Sequence, residues 1–337
     1  MAELAADSRS ADSPPPPMPD DVLREILLRL PPDPIYLFRA SSVSKHWRGL
    51  VHDAGFLRRC REFHGGTPPV LGFFNFTRPP LFVPKSGSFV VSAATMHHGD
   101  WWPLDCHRGR ALLISRRSKA LLVRDLVTGD ERYLPLPPGF GGSWEWVRNC
   151  AALCAAGHAD HCDCRSCPFL VAFIFSRSCF VTSACLYSSE TGVWGKITSI
   201  NTQGDQLVAR KQMARVGNTL YCLLDNNLII EFNLDTYSLD VIGKLSRDLL
   251  NSCSWHVVIM RAEDGGLGFA GGERFNLHLW SSVACTDGVV TCQHLRVIDL
   301  ERFLVPEVVA LCTAPVWAIG YAQDADVIFI EACPNAD

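Results

Sequence analysis

No run of apolar residues in the 337-residue chain approaches the ~20 positions needed to cross a bilayer as a helix. The most apolar stretch, PFLVAFIF from Pro168 to Phe175, has the length of a strand. An apolar N-terminal segment is also missing. MAELAADSRSADSPPPP is small, acidic and proline-rich, and residues 1–17 read as a disordered leader rather than a signal or transit peptide. There is no excess of basic residues. Formal net charge is -4, which gives no general reason to expect a nucleic-acid partner. Asp264-Gly265-Gly266 is followed by no Gly-Lys-Ser/Thr, so it reads as a turn and not a phosphate loop. The long amphipathic helices that would cross over a parallel sheet are absent, and this argues against an α/β fold.

Cysteine, by contrast, is plentiful. Fifteen cysteines, an odd number, without a secretory leader argue against a disulfide scaffold. They fit a reducing compartment, cytoplasm or nucleus, with most of them serving as small buried hydrophobes. No membrane partner is expected.

Residues 18–64 carry the densest helical signal. Val22, Leu23, Ile26, Leu27 and Leu30 recur at helical spacing. Pro19 suits a first turn, and Asp20 and Asp21 suit the positive end of the helix dipole. Pro31 and Pro32 stop the helix. Asp33 and Pro34 start a second one, with Ile35, Leu37, Phe38 and Ala40 around it. Ser41 or Ser42 is placed to cap a third helix that carries Val43, Trp47, Leu50 and Val51. Phe56 and Leu57 begin a further helical piece that ends near His64. A module of this size buries a small share of its surface and is marginal alone. It is either an ordinary N-terminal subdomain packed on the rest of the chain, or a module that completes its core with a partner.

GGTPP, Gly65 to Pro69, reads as a hinge. Beyond it, residues 65–337 hold short strand-like runs, among them VLGFFNF, ALLISRR, KALLVRDL, FLVAFIF and NLIIEFNL. A weak repeat recurs in LLVRDLVTGDERYLPLP, ACLYSSETGVWGKI and LIIEFNLDTYSLDVI, with a fourth version around Asp287-Gly288. Each reads as a hairpin. The later spacings, near 45 residues, match one four-stranded propeller blade and leave room for about six, the last of them incomplete. A two-sheet sandwich is the alternative. The expected fold class is therefore mainly β with a small N-terminal α domain.

The ordered set Met18-Pro19, Asp21, Ile26-Leu27, Leu30-Pro31, Val43, Lys45 and Trp47 resembles the F-box. This is the helical motif by which ubiquitin-ligase receptors grip the Skp adaptor of cullin-based ligases. The opening leucine of that pattern is Met18 here, and the leucine after the proline break is Ile35. The resemblance implies that Pro19, Leu23, Ile26, Leu30, Pro31, Leu37, Val43 and Trp47 form the adaptor-facing surface and its support. FLRRCREFHGGTPPVLGFF, DCHRGRALLISRRSKALLVRDLVTGDERYLPLPP, VGNTLYCLLDNNLIIEFNLDTYSLDVI and VWAIGYAQDADVIFIEACP resemble the β-domain that follows the F-box in a large family of grass F-box proteins. That likeness implies a propeller-like substrate receptor of an SCF-type ligase. Its partners would be the Skp-type adaptor, through it a cullin, and a target protein. Such a chain needs no catalytic residue and no cofactor. An F-box scaffold outside a ligase and an enzyme on a β-propeller are the alternative functions.

One loop offers metal chemistry. AGHADHCDCRSCP holds His158, His161, Cys162, Cys164 and Cys167. His158, His161, Cys164 and Cys167 are a possible tetrahedral zinc set, since thiolate and imidazole are the ligands zinc prefers. The spacing is tighter than in a finger, and a polar inter-strand loop is the competing reading, so no metal is expected. Arg108, Arg110, Arg116 and Arg117 form a basic patch, read as a solvated strand face or an anion site. Trp101-Trp102 and Trp144 with Trp146 are read as core packing or as partner-binding hot spots.

Overall fold

The computed structural model describes residues 18–32, 34–65, 70, 72–75, 81–84, 101–115, 117–126, 130–140, 147–155, 167–178, 180–202, 212–224, 227–253, 257–311 and 316–332. The leader, Asp33, Trp144, Trp146 and the loop from His158 to Cys164 lie outside these residues. The chain divides into two compact units, Met1–Gly66 and Thr67–Asp337.

The first unit holds α1 (Asp20–Leu28), α2 (Pro34–Ser41), α3 (Lys45–Val51) and α4 (Ala54–Phe63). Asp20 and Asp21 sit in the first turn of α1, where the helix dipole favours them. The cap of α3 is Ser44, whose hydroxyl accepts the Trp47 N–H at 3.1 Å. Ser41, one of the two serines expected there, is instead the last residue of α2. The Ser42 and Val43 N–H groups turn back to the carbonyls of Arg39 and Ala40 and close that helix. Only then does the backbone extend, at Ser44 (φ -159°), into N-cap geometry. Leu23, Leu27 and Leu28 pack with Ala40, Leu50, Val51 and Phe56 to form a small core.

The second unit is mainly β. A hairpin of β1 (Gly72–Asn75) and β2 (Leu81–Pro84) comes first. It is followed by a four-stranded antiparallel sheet of β3 (Trp101–His107), β4 (Arg110–Ser115), β5 (Ala120–Asp125) and β6 (Glu131–Leu134). Next come β7 (Val147–Cys154), β8 (Phe169–Ser178), β9 (Val181–Ser188), β10 (Val193–Trp194) and β11 (Thr198–Asn201). An eight-stranded sheet contains two meanders. One is β12 (Ala214–Val216), β13 (Thr219–Leu223), β14 (Leu228–Asn233) and β15 (Leu239–Leu245). After the short helix α5 (Arg247–Ser252), the other is β16 (Val257–Arg261), β17 (Leu267–Glu273), β18 (Asn276–Thr286) and β19 (Val289–Asp299). A two-residue parallel bridge, Lys244↔Val289 and Leu245↔Val290, joins them. Helix α6 (Pro306–Leu311) precedes a last hairpin, β20 (Trp317–Ala322) and β21 (Val327–Glu331). No helix among the described residues is long and apolar enough to cross a membrane.

These sheets stack face to face in chain order, because their strands are apolar on both sides. Along β8, Phe169, Val171, Phe173 and Phe175 point into one core, shared with Leu112, Ile114 and Leu121 of the preceding sheet. The alternate residues Ala172 and Ile174 enter another, with Leu220, Ile230 and Phe232 of the following one. The two-residue period of a strand does this sorting. Ile229 and Leu245 then meet Phe269 and Trp280, and Ala270 and Leu279 meet Ala318 and Tyr321. The first sheet covers its other face with Phe74 of β1. Phe73 of β1 lies 5.2 Å, ring to ring, from Phe329 of β21, so the first and last hairpins also touch. Trp101 and Trp102 are on β3 and half-buried, packed against two of these cores.

Gly272 in β17 shows how closely neighbouring elements approach. A Cβ there would stand 1.7 Å from the Val316 carbonyl oxygen, part of the backbone leading into β20. No rotamer relieves a backbone contact of that kind. Gly272→Ala is therefore expected to cost about 1–3 kcal/mol of stability, the range seen for overpacking. Urea unfolding of the full chain would read this as a lower midpoint at unchanged slope.

Candidate functional site

Helix α1 presents two different apolar faces. Leu23, Leu27 and Leu28 point inward and are buried. Met18 just before the helix, with Val22 and Ile26 on it, follows at intervals of four, so the three share one side. They are 51%, 47% and 46% exposed. The sequence stripe of Val22, Leu23, Ile26, Leu27 and Leu30 is thus divided between core and surface. Leu28, not counted in that stripe, is a core residue. Of the other residues singled out, Pro19, Pro31 and Val43 are exposed, while Leu30, Leu37 and Trp47 are half-buried against the helical core. Leu23 is buried in the helical core. Tyr36 of α2 is also exposed. The outward row of α1 spans about 12 Å at 1.5 Å per residue.

Ion pairs hold α1 in place. Arg24 donates to Asp53 at 2.8 Å, and the same Asp53 oxygen accepts the Phe56 N–H at 2.9 Å as the cap of α4. Glu25 pairs with Arg29 and with Arg59 of α4. Asp20 faces His46 of α3 at 2.9 Å. Arg24 holds the Asp53 carboxyl below its ordinary range, and Arg29, then Arg59, does the same for Glu25. Both are surface pairs, so their worth lies in orientation more than in energy. The His64 ring nitrogen at 3.1 Å donates to the Leu28 carbonyl, one of the acceptors left over at the end of α1.

In the β unit, polar side chains gather at the strand edges. A β-bulge between Pro103 and Asp105 turns Asp105 so that it accepts the Ala152 N–H of β7 at 2.8 Å. Arg108 and Gly109 form a two-residue hairpin turn with φ of 48° and 81°, and the glycine takes its left-handed conformation without penalty. This turn aims His107 and Arg108 at Asp324, 3.1 and 3.3 Å away. Gln323, beside it, accepts the Arg215 N–H at 3.0 Å and donates to the Arg215 carbonyl at 2.7 Å. Burial, with Asp324 nearby, pushes Asp105 up to about 6. His107 is pushed down, first by burial and then by the surrounding arginines, against the pull of Asp324. These groups are already engaged with one another, as bracing between sheets. Nothing in their arrangement pairs a nucleophile with a base.

Of the sequence's basic patch, Arg108 is taken up by Asp324. Arg110 turns instead to the Cys167 carbonyl at 3.0 Å. With Arg132, which donates to the Ser189 carbonyl at 2.7 Å, it flanks the Phe169 ring, at 5.2 and 5.5 Å. Arg116 lies outside the described residues. Among the described residues, no group of three or more His, Cys, Asp and Glu side chains is set to hold a metal ion. Of the zinc candidates, Cys167 is half-buried, and His158, His161 and Cys164 lie outside the described residues.

Comparison with known proteins bears on the helical unit. The F-box domain family matches residues 17–59, so the chain carries an F-box domain. F-box domains bind Skp-type adaptors in SCF-type ubiquitin ligase complexes. No curated protein matches the chain. Among solved structures, Hsv2p of Kluyveromyces lactis is 12% identical, with 58% of this chain and 60% of that one covered and a TM-score of 0.32. A luciferin-regenerating enzyme is 10% identical, with 59% and 62% covered and a TM-score of 0.31. The chain thus spans less than two thirds of the length of these structures.

Asp105 makes a pH prediction. Its carboxyl holds a proton up to about pH 6 when folded, against about 3.9 when unfolded. Between those values the folded state binds more protons. Stability should therefore fall as pH rises through that window and level off above it. Asp105→Asn keeps an acceptor for Ala152 and should flatten this slope in chemical denaturation at several pH values.

Proposed function

We propose that this chain is the substrate-recognition subunit of an SCF-type ubiquitin ligase. The observation that carries the reading is the exposed row of Met18, Val22 and Ile26 on the first helix of the F-box domain. It is an apolar surface that the unit's own small core leaves uncovered, and ion pairs to Asp53 and to Arg59 of α4, with the Asp20–His46 contact to α3, fix its direction. A Skp-type adaptor would cover it and, through the adaptor, a cullin would follow. We read the β unit as a propeller-like ring, of the kind that follows the F-box in grass-type F-box proteins. The stacking of consecutive meanders and the Phe73–Phe329 contact support that reading. The ring would hold a target protein. Catalysis would then be proximity: tethering raises the effective concentration of target lysines near the ubiquitin-loaded enzyme. No residue of this chain performs chemistry in that scheme. Fifteen cysteines, an odd number, suit the reducing cytoplasm or nucleus, where the ligase would work.

Val22→Asp with Ile26→Asp tests the surface. Both side chains are exposed, so the variant should keep wild-type helix content by circular dichroism. Adaptor capture by the purified chain should weaken by more than about 2 kcal/mol, as expected for hot-spot residues. Unchanged capture by a folded variant would overturn the proposed docking surface. Cullin co-purification with the wild-type chain separates a ligase subunit from an F-box scaffold.

A further inference from the structure

Strands β18 and β19 bring two histidines together on one face. His278 Nδ1 and His294 Nε2 are 3.1 Å apart. The pairing depends on a β-bulge. From Asn276↔Asp299 to Leu279↔Arg296 the register is regular, and the next pair would be Trp280↔Leu295. The register slips there, and His294 stands opposite Trp280 instead. Because side chains alternate across a strand, the slip moves His294 onto the face shared by His278 and Trp280. Without it, Leu295 would occupy that place and His294 would point away.

The surroundings suit a chelate. Trp280 is buried and forms a floor, stacked with the His278 ring at 5.6 Å and 17° and edge-on to His294 at 5.8 Å. On the far side of His278, Nε2 faces the Glu273 carboxylate at 3.4 Å. That approach is not aligned as a hydrogen bond and leaves the buried Nε2 without an acceptor, but the negative charge on that side favours the tautomer in which the outer nitrogen carries the proton and the inner one offers its lone pair. The two inner nitrogens share one proton as a hydrogen bond; a metal ion would replace that proton, and His294, being exposed, would carry its own on the other ring nitrogen. Two imidazole nitrogens at about 2.0–2.1 Å from one zinc, in tetrahedral geometry, stand about 3.3 Å apart. The observed 3.1 Å is within a small ring rotation of that value.

We propose that His278 and His294 form a two-imidazole chelate for a divalent late transition metal, zinc or copper, with Glu273 orienting His278 and water filling the remaining positions. Affinity for copper should exceed that for zinc, following the general order for nitrogen sites. The site is independent of the ligase reading, being in a different unit from the F-box domain and built from different residues.

The test is titration of the full chain with Cu²⁺ and Zn²⁺, alongside His278→Ala, His294→Ala and Cys164→Ser/Cys167→Ser variants. The wild-type chain should show a copper spectrum with coupling to two nitrogens, and quenching of tryptophan fluorescence through Trp280. Either histidine variant should lose one bound equivalent and the two-nitrogen signal. The cysteine variant should keep both. His294 is on the surface, so His294→Ala should retain the wild-type far-ultraviolet dichroism and urea midpoint, which separates lost binding from lost folding. Equal stoichiometry and affinity in wild type and a folded His294→Ala chain would overturn the proposal. So would loss of the two-nitrogen signal in the cysteine variant alone.

Discussion

A sheet that is apolar on both faces needs a neighbour on each side. That requirement organises the larger unit. Phe173 and Ile174 are adjacent in β8, both fully buried, and they belong to different cores. A single sandwich would satisfy one face of each sheet and leave the other wet. Stacking in series satisfies both for every inner sheet and passes the problem to the ends. There the first and last hairpins meet through Phe73 and Phe329. Hydrophobic burial thus fixes the order of the sheets, as it is the dominant favourable term and acts on every face at once.

Stacking creates a second problem at the strand edges. Among the described residues, strands such as β7 and β12 pair on one side only, and their outward N–H and C=O groups must be satisfied or hydrated. Side chains meet this need. The Asp105 carboxylate takes the Ala152 N–H, and the Gln323 amide takes both backbone groups of Arg215, much as another strand would. Asp324, between His107 and Arg108, ties the turn of β3 and β4 to the last hairpin. The charges in this region therefore serve to join sheets, which is why their displaced pKa values are not by themselves a sign of catalysis. The His278–His294 pair, by contrast, lies within one hairpin and bridges no two sheets.

The helical unit has the opposite balance. Among its described residues seven buried side chains form its core, and a row of apolar residues remains outside it. Small modules of this kind gain stability when a partner adds apolar surface. The exposed row lies within the residues that match the F-box domain. Arg24, Asp53, Glu25 and Arg59 contribute direction: they hold α1 so that its inner and outer faces stay distinct.

The chain's sequence sufficed to mark the helical segment, because prolines, acidic first turns and apolar spacing act over a few residues. It also marked the β-rich class, since turn residues such as Asp287-Gly288 and apolar runs such as ALLIS are local too. The stripe on α1 was visible, but its division was not: Val22 and Leu23 are equally apolar, and only packing against Leu50, Val51 and Phe56 decides which is buried. Capping by Ser44 rather than Ser41 or Ser42 was likewise undecided until the end of α2 was known. Tertiary structure alone brought Asp105 to Ala152, 47 residues away, and His278 to His294 across a register slip. Those encounters depend on how strands pair and sheets stack. Such long-range contacts are set by the whole chain's burial of apolar surface, which no short stretch of sequence records.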